Sequence, residues 1–196
     1  MITISQDILR VALNAVTRAS QKNVLPAFSL VRLDADVVGL IEIENDGAGE
    51  FSALADLVNG LNAATSPGAY ALVEEPSPGS DEIKVSLIYK PAVVTPLGAA
   101  QNYQAASDAY GELFDRPPLA QAFTENDSGE VFSVVVNHFK SKGCPGTGLD
   151  GDQGYGQGCW NAKRTLQAQE LLKFVESLKE VDPDVLVIGD LNAYAQ

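Results

Sequence analysis

Basic residues are scarce in this chain of 196 residues: 13 Lys and Arg stand against 26 Asp and Glu, for a formal net charge of −13. A protein that binds nucleic acid passively needs a basic footprint to neutralise phosphates, so that class is disfavoured. The same balance suits an enzyme that meets phosphate through a divalent cation, because the ion supplies local positive charge and acidic side chains hold it. An acidic solvated surface accounts equally well for most of the charge. Also lacking is any apolar run near the roughly 20 residues that a membrane-spanning helix needs, so no membrane partner is expected. The opening Met1-Ile-Thr-Ile-Ser-Gln-Asp has neither the basic stretch nor the apolar core of a secretory signal. Histidine is reduced to His138 alone, and cysteine to Cys144 and Cys159. Two cysteines and one distant histidine do not match the ligand spacing of a zinc site.

Both cysteines fall in a glycine-rich stretch, residues 142–159. Joined, they would close a short loop and stabilise the fold by roughly 3 kcal/mol. A loop so rich in glycine has much backbone entropy to lose, which gives such a clamp a physical purpose. A bridge implies an oxidising compartment; two free thiols in a reducing one are the alternative.

Hydrophobic periodicity divides the rest. Residues 5–20 carry an apolar face at Ile8, Leu9, Val11, Ala12 and Ala15, which predicts a helix. Residues 28–34 alternate and read as a strand. Asp36–Asn45 is an apolar run ending in carboxylates, a buried strand with a polar tip. Residues 53–63 have a helical period, and 70–73 form a short strand. Ile83–Tyr89 alternates until Lys90-Pro91 breaks it, and another strand begins at Val93-Val94. Residues 99–115 read as an irregular surface insertion. Leu119–Phe123 and Glu130–His138 are strands. Asn161–Leu178 is the strongest helix, with Leu166, Leu171, Phe174, Val175 and Leu178 in phase, and Asp184–Gly189 is a buried strand. Many strands with a few helices between them indicate an α/β or α+β layered fold.

Chemistry gathers at strand ends, where sheet enzymes place it. Gly189-Asp190-Leu191-Asn192 follows an apolar strand, and residues i and i+2 of a strand face one side. Asp190 can hold a hard cation or orient a water, and Asn192 can donate to a phosphate oxygen; a simple turn fits the same letters. Glu42, at the tip of its own strand, has Glu44 two residues on. A glutamate in that setting needs a partner or a metal unless it is solvated. His138 ends the strand that carries Asn137 and precedes Lys140 and Lys142, the densest positive charge in the chain. A histidine there can donate to phosphate or shuttle a proton, and the lysines can contact a phosphate backbone or be merely solvated.

Taken in order, Gly-Leu-Ile-Glu42-Ile-Glu-Asn, Val-Val-Asn137-His138-Phe-Lys-Ser-Lys and Gly-Asp190-Leu-Asn192-Ala resemble the endonuclease/exonuclease/phosphatase family. The stretches Ile83–Pro91, Arg116-Pro-Pro-Leu, Lys142-Gly-Cys144 and Gly158-Cys159-Trp-Asn-Ala-Lys-Arg164 are similar to its secreted bacterial nucleases. The resemblance spans residues 36–196, while 1–35 form a separate, poorly matching segment. It implies a four-layer α/β sandwich, deoxyribonuclease I-like, with two packed sheets flanked by helices. It also implies hydrolysis of phosphodiesters with Mg²⁺ or Mn²⁺, Ca²⁺ being a further candidate. By the same resemblance Glu42 would ligate the metal and Asp190 would orient the attacking water. Asn192 would bind the phosphate, and His138 would hydrogen-bond or protonate it. Asn137, Lys140, Lys142 and Arg164 would line the substrate groove, with Arg164 and Asn161 also supporting the loop, and Asp81 or Glu82 would support a histidine. The expected substrate is DNA, with RNA as the alternative, and the expected location is extracellular. Sphingomyelinase-like or phosphatase activity is the rival within the family, and an inactive domain the rival outside it. Members also begin with a Phe-Asn strand and end with an acid–histidine pair. Neither is recognised here, so truncation at both ends is expected, and unpaired sheet edges would then favour self-association.

Overall fold

A computed structural model describes residues 11–15, 30–47, 49–144 and 146–193. The strands in chain order are β1 (Val11–Ala15), β2 (Val37–Glu44), β3 (Ala71–Leu72), β4 (Ile83–Tyr89), β5 (Val94–Asn102), β6 (Ala106–Ser107), β7 (Gly111–Glu112), β8 (Leu119–Glu125), β9 (Val131–His138) and β10 (Val185–Asp190). The two long helices are α1 (Ala53–Ala64) and α2 (Asn161–Leu178). One sheet runs β1-β2-β4-β3, a second runs β10-β9-β8-β5, and β6 and β7 form a small hairpin.

Alternation along the strands builds three packed layers of apolar contact. Val37 and Ile41 of β2 and Val85 and Leu87 of β4 point inward, against Leu119 and Phe123 of β8 and Phe132, Val134 and Val136 of β9. The opposite faces of β2 and β4, through Val38, Leu40, Ile43 and Ile88, meet Leu54, Leu57, Val58 and Leu61 of α1. Beyond the second sheet, Ala120 and Val135 meet Leu171, Phe174, Val175 and Leu178 of α2. The order helix, sheet, sheet, helix is the four-layer sandwich expected from the resemblance. Val134, Val135 and Val136 of β9 follow one another without alternation because both faces of the strand are covered, and each such side chain contributes roughly 1.5–3 kcal/mol relative to exposure. α1 starts on two acceptors: Ser52 Oγ takes the Ala55 N–H at 3.3 Å and Asp46 Oδ2 takes the Ala53 N–H at 2.8 Å.

Four local expectations fail, each for a tertiary reason. Residues 11–15 lie in β1 rather than a helix, because they pair in parallel with the central strand β2, Val11 opposite Val37 through Ala15 opposite Ile41. A supply of strand partners outweighs a helical period. Residues 30–33 are helical rather than extended. Only Leu30 is buried there while Leu33 is exposed, and Asp34 stops the turn in the left-handed region at φ 49°. Residues 99–115 are not wholly a surface insertion: β5 continues to Asn102 against β8, and Leu113 and Phe114 are buried under α2. Finally, β10 is not buried throughout, since it pairs only with β9 among the described residues and leaves Leu186 and Val187 exposed.

Within the strands, Gly39 and Gly189 stand where the packing leaves no room for a side chain. A Cβ on Gly39 would lie 2.5 Å from Ile188 Cδ1, so the absent side chain lets β2 approach β10 across the sandwich. Gly189 sits at φ +138° with the Asn137 backbone oxygen 2.0 Å from where its Cβ would be. Both the torsion and the contact are backbone constraints that rotamer changes cannot relieve. Gly189→Ala is therefore expected to destabilise the fold by about 3 kcal/mol or more, read as the shift in urea midpoint. A change of under about 0.5 kcal/mol would contradict the packing described at this strand.

Candidate active site

The ends of β2, β9 and β10 meet through a continuous chain of polar contacts. Just beyond Glu42, Asn45 donates from Nδ2 to the backbone oxygens of Gly79 and Asp81 at 3.1 and 2.9 Å. The Asp81 carboxylate pairs with Arg116 Nη1 at 2.9 Å. Arg116 then donates from Nε to the His138 carbonyl at 3.2 Å and from Nη2 to the Phe139 carbonyl at 2.8 Å. The Phe139 carbonyl also accepts Asn192 Nδ2 at 3.0 Å, and Asp190 pairs in register with His138. The topology thus places Glu42, His138, Asp190 and Asn192 at one end of the sandwich.

Glu42 owes its placement to a bulge. β2 and β4 are in register up to Leu40 opposite Ser86 and again from Ile43 opposite Lys84, so Ile41 and Glu42 share the single partner Val85. Glu42 adopts φ 61°, the left-handed region. For a residue other than glycine this costs on the order of 1–3 kcal/mol and is found where a site demands it. Bulges of this kind re-aim a side chain. The half-buried Glu42 carboxylate has no hydrogen bond or ion pair among the described residues.

Asp190 Oδ1 accepts the Asn192 N–H at 2.7 Å, an Asx turn that leaves Oδ2 without a partner among the described residues. Asn192 is itself left-handed, φ 51°, and keeps its amide oxygen and one N–H available beyond its bond to Phe139. The turn and the site are therefore the same object here. His138 is 6% exposed, and its Nδ1 has no partner among the described residues. Burial, then the Arg116 charge, push its pKa down to about 4, against the opposing pull of Asp190 and Asp81. His138 is consequently a neutral imidazole at pH 7.

The remaining predicted residues occupy the surroundings. Asn137 is fully buried and donates to the Ile188 carbonyl at 3.2 Å, binding β9 to β10 beneath the site instead of lining a groove. Arg164 is likewise committed. Its guanidinium donates to the carbonyls of Cys159 and Gln157, both at 2.7 Å, and of Lys140 at 3.2 Å, so it holds the glycine-rich loop rather than a substrate. The loop is also tied by the disulfide Cys144–Cys159, with Cα atoms 5.5 Å apart. Asn161 opens α2. Lys140 Nζ lies 3.0 Å from Asp115 and 5.4 Å from the centre of the Trp160 ring. Lys163 shares the same carboxylate at 3.2 Å, so the trio carries one net positive charge. Burial alone would raise the Asp115 carboxyl, but the two lysines outweigh it and hold it below its usual range. Lys142 is half-buried at the loop's base, where its carbonyl accepts the Cys159 N–H at 3.2 Å. Glu44 is exposed at the strand's end. Of the acidic pair before β4, Asp81 faces Arg116 and Glu82 is exposed.

Arg116, whose guanidinium ties the strand ends together, is not among the residues to which the sequence assigns chemistry. It stands in the sequence only within Arg116-Pro-Pro-Leu, one of the stretches that carry the resemblance, although a buried arginine in so acidic a chain must have partners.

Fold and strand-end residues together define a two-sheet sandwich with an acid, an amide and a neutral histidine at one end. The model of the Endonuclease/Exonuclease/phosphatase family matches residues 20–196, and the chain belongs to that family. No curated protein matches it by sequence. Among solved structures it is similar to the human Nocturnin catalytic domain with bound sulfate, at 18% identity and TM-score 0.58 over 87% of this chain and 56% of that one. It is also similar to D. rerio TDP2 complexed with a single-strand DNA product, at 20% and 0.56 over 95% and 62%. A third likeness is the mannosyl-6-phosphatase of Bacteroides thetaiotaomicron, at 13% and 0.61 over 94% and 66%. These identities establish a common fold, and the chain spans between about half and two thirds of these relatives' lengths.

The depressed His138 pKa has a signed consequence for stability. Unfolded, the imidazole takes up a proton near pH 6.5; folded, it refuses one until about pH 4. The unfolded state therefore binds more protons in that window, and stability falls as pH drops through it. His138→Gln is expected to remove this part of the slope in urea unfolding measured from pH 7 to pH 4. An unchanged slope would show that His138 titrates normally in the fold.

Proposed function

We propose that the chain is a metal-dependent phosphodiesterase acting on nucleic acid, with DNA as the first substrate to test. The observation that carries the reading is the unpartnered carboxylate of Glu42, held in a strained bulge at the end of the sandwich where Asp190, Asn192 and His138 converge. The donor chemistry fits Mg²⁺ or Mn²⁺: Mg²⁺ is held by one or two carboxylates and keeps several waters. Such a site does not need a cluster of three or more acidic, His or Cys ligands, and none occurs among the described residues. When bound, the cation would stabilise negative charge building on the phosphate oxygens and lower the cost of ionising water. Glu42 would hold it through its unpartnered carboxylate.

The protein's own groups divide the rest of the work. Asp190 Oδ2 is free to accept a proton from the attacking water and to fix its direction, while Oδ1 is occupied by its turn. Asn192 offers an N–H to a phosphate oxygen. A neutral His138 serves as a hydrogen-bond donor to that phosphate rather than as a proton source, since at pH 7 it carries no extra proton. The net positive charge of Lys140, Lys163 and Asp115 gives the acidic chain one local attraction for a phosphate backbone. The Cys144–Cys159 bridge supports an extracellular location, because such bonds persist in oxidising compartments.

Digestion of supercoiled plasmid by the purified chain with Mg²⁺ or Mn²⁺, beside an EDTA control, tests the reading. Metal-dependent nicking is expected, with Asp190→Ala and Glu42→Gln each lowering the rate by about 10²-fold or more. Hydrolysis of phosphomonoesters with an intact plasmid would move the assignment to the phosphatase branch. Folded protein with neither activity would refute the catalytic reading of this chain.

A further inference from the structure

The two β4 residues that bracket the Glu42 bulge are tied to one buried carboxylate. Ser86, opposite Leu40, donates its hydroxyl to Glu75 Oε1 at 2.5 Å. Lys84, opposite Ile43, places Nζ 3.7 Å from the same oxygen, and both of these charged side chains are only 3% exposed. Lys84 Nζ also donates to the Gly47 carbonyl at 3.2 Å, which ties the cluster to the loop leaving β2.

As a stability device this is a poor choice. Val85 and Leu87 fill the inner face of β4, and Ile88 on its other face packs against α1, so apolar residues at 84 and 86 would continue that face. Instead two ions are desolvated, and Glu75 Oε2 is left without a partner among the described residues. Burial pushes the Glu75 carboxyl up, and Ser86 and Lys84 pull it back. Buried ion pairs stabilise little compared with apolar packing, and fixing a register is their best-attested use. A slip of one residue would carry Glu42 to the other face of the sheet.

We propose that Glu75 is a positioning residue for Glu42. By gripping Ser86 and Lys84 on either side of Val85, and through Lys84 the Gly47 carbonyl of the loop leaving β2, it locks the two-against-one register in which Glu42 sits. The proposal rests on the reading of Glu42 as the metal-holding residue, but the bulge itself can be observed without metal.

Amide hydrogen exchange on the folded full chain reads it directly. Glu75→Gln is expected to speed exchange at residues 41–44 at least tenfold while leaving β8 and β9 unchanged. In calorimetry it should weaken Mg²⁺ binding at least tenfold. Unchanged rates at 41–44, or an equal acceleration across both sheets, would overturn the proposal, the second because it marks mere support of the fold. Should Glu75→Gln fail to fold, Ser86→Ala removes one hydrogen bond without stranding a charge, and must show the same local pattern in weaker form. Absence of Mg²⁺ binding by the parent chain would overturn the metal reading alone, and the exchange pattern would still decide the role of Glu75.

Discussion

The guanidinium of Arg116 joins parts of the chain that share no sheet. One nitrogen meets Asp81 ahead of β4, and two others hold the carbonyls at the end of β9. Neighbouring contacts hang from these: Asn45 on the Asp81 backbone, Asn192 on the Phe139 carbonyl. Arginine suits the task because its planar fork serves several acceptors at fixed angles and keeps its charge at any working pH. The arrangement also disciplines His138, whose neutrality owes part of its cause to that adjacent permanent charge.

The layers of the fold were legible in the sequence wherever a strand or helix had one unambiguous pattern. β2, β4, β8, β9 and α2 announce themselves because burial on one or both faces dictates every residue. β1 did not, since five residues of which two are alanine carry a pattern that a helix shares, and only pairing with β2 decides between them. Likewise the register shift at Ile41 and Glu42 leaves no trace in the letters: a bulge is a property of two strands together. The strand-end residues Glu42, His138, Asp190 and Asn192 could be named from sequence because each terminates an apolar run. Those that hold them, Arg116 above all, could not, because their partners lie on other elements. Asn137 and Arg164 show the converse limit. A polar residue beside a site looks functional in the sequence whether it faces solvent or, as here, supports the backbone from below.

Charge in this acidic chain is managed by sharing. One carboxylate, Asp115, serves both Lys140 and Lys163, and Asp150 accepts the Tyr110 hydroxyl at 2.8 Å while standing at the start of α2. Burial and that carboxylate drive the Tyr110 hydroxyl up to about 12, so it remains a donor throughout the range in which the protein would work. The glutamates and aspartates with no such employment lie mostly at the surface, where repulsion is screened by salt.

The glycine-rich loop between Lys142 and Trp160 is fastened at its two ends and, midway, at Asp150, which accepts the Tyr110 hydroxyl and the N–H groups of Trp160 and Lys163. Cys144 is bonded to Cys159, Arg164 grips the carbonyls at the far end, and nothing lies within 4 Å of a side chain added to the interior glycines Gly154 and Gly156. Such a segment behaves as a handle sewn to the fold at both seams. The length and sequence of residues 152–156 are free to drift, or to be replaced by a foreign peptide, as long as Asp150 keeps its bonds to the first turn of α2. Of all the surface near the strand ends, this is where a new recognition element could be spliced in with least consequence for the residues beneath it.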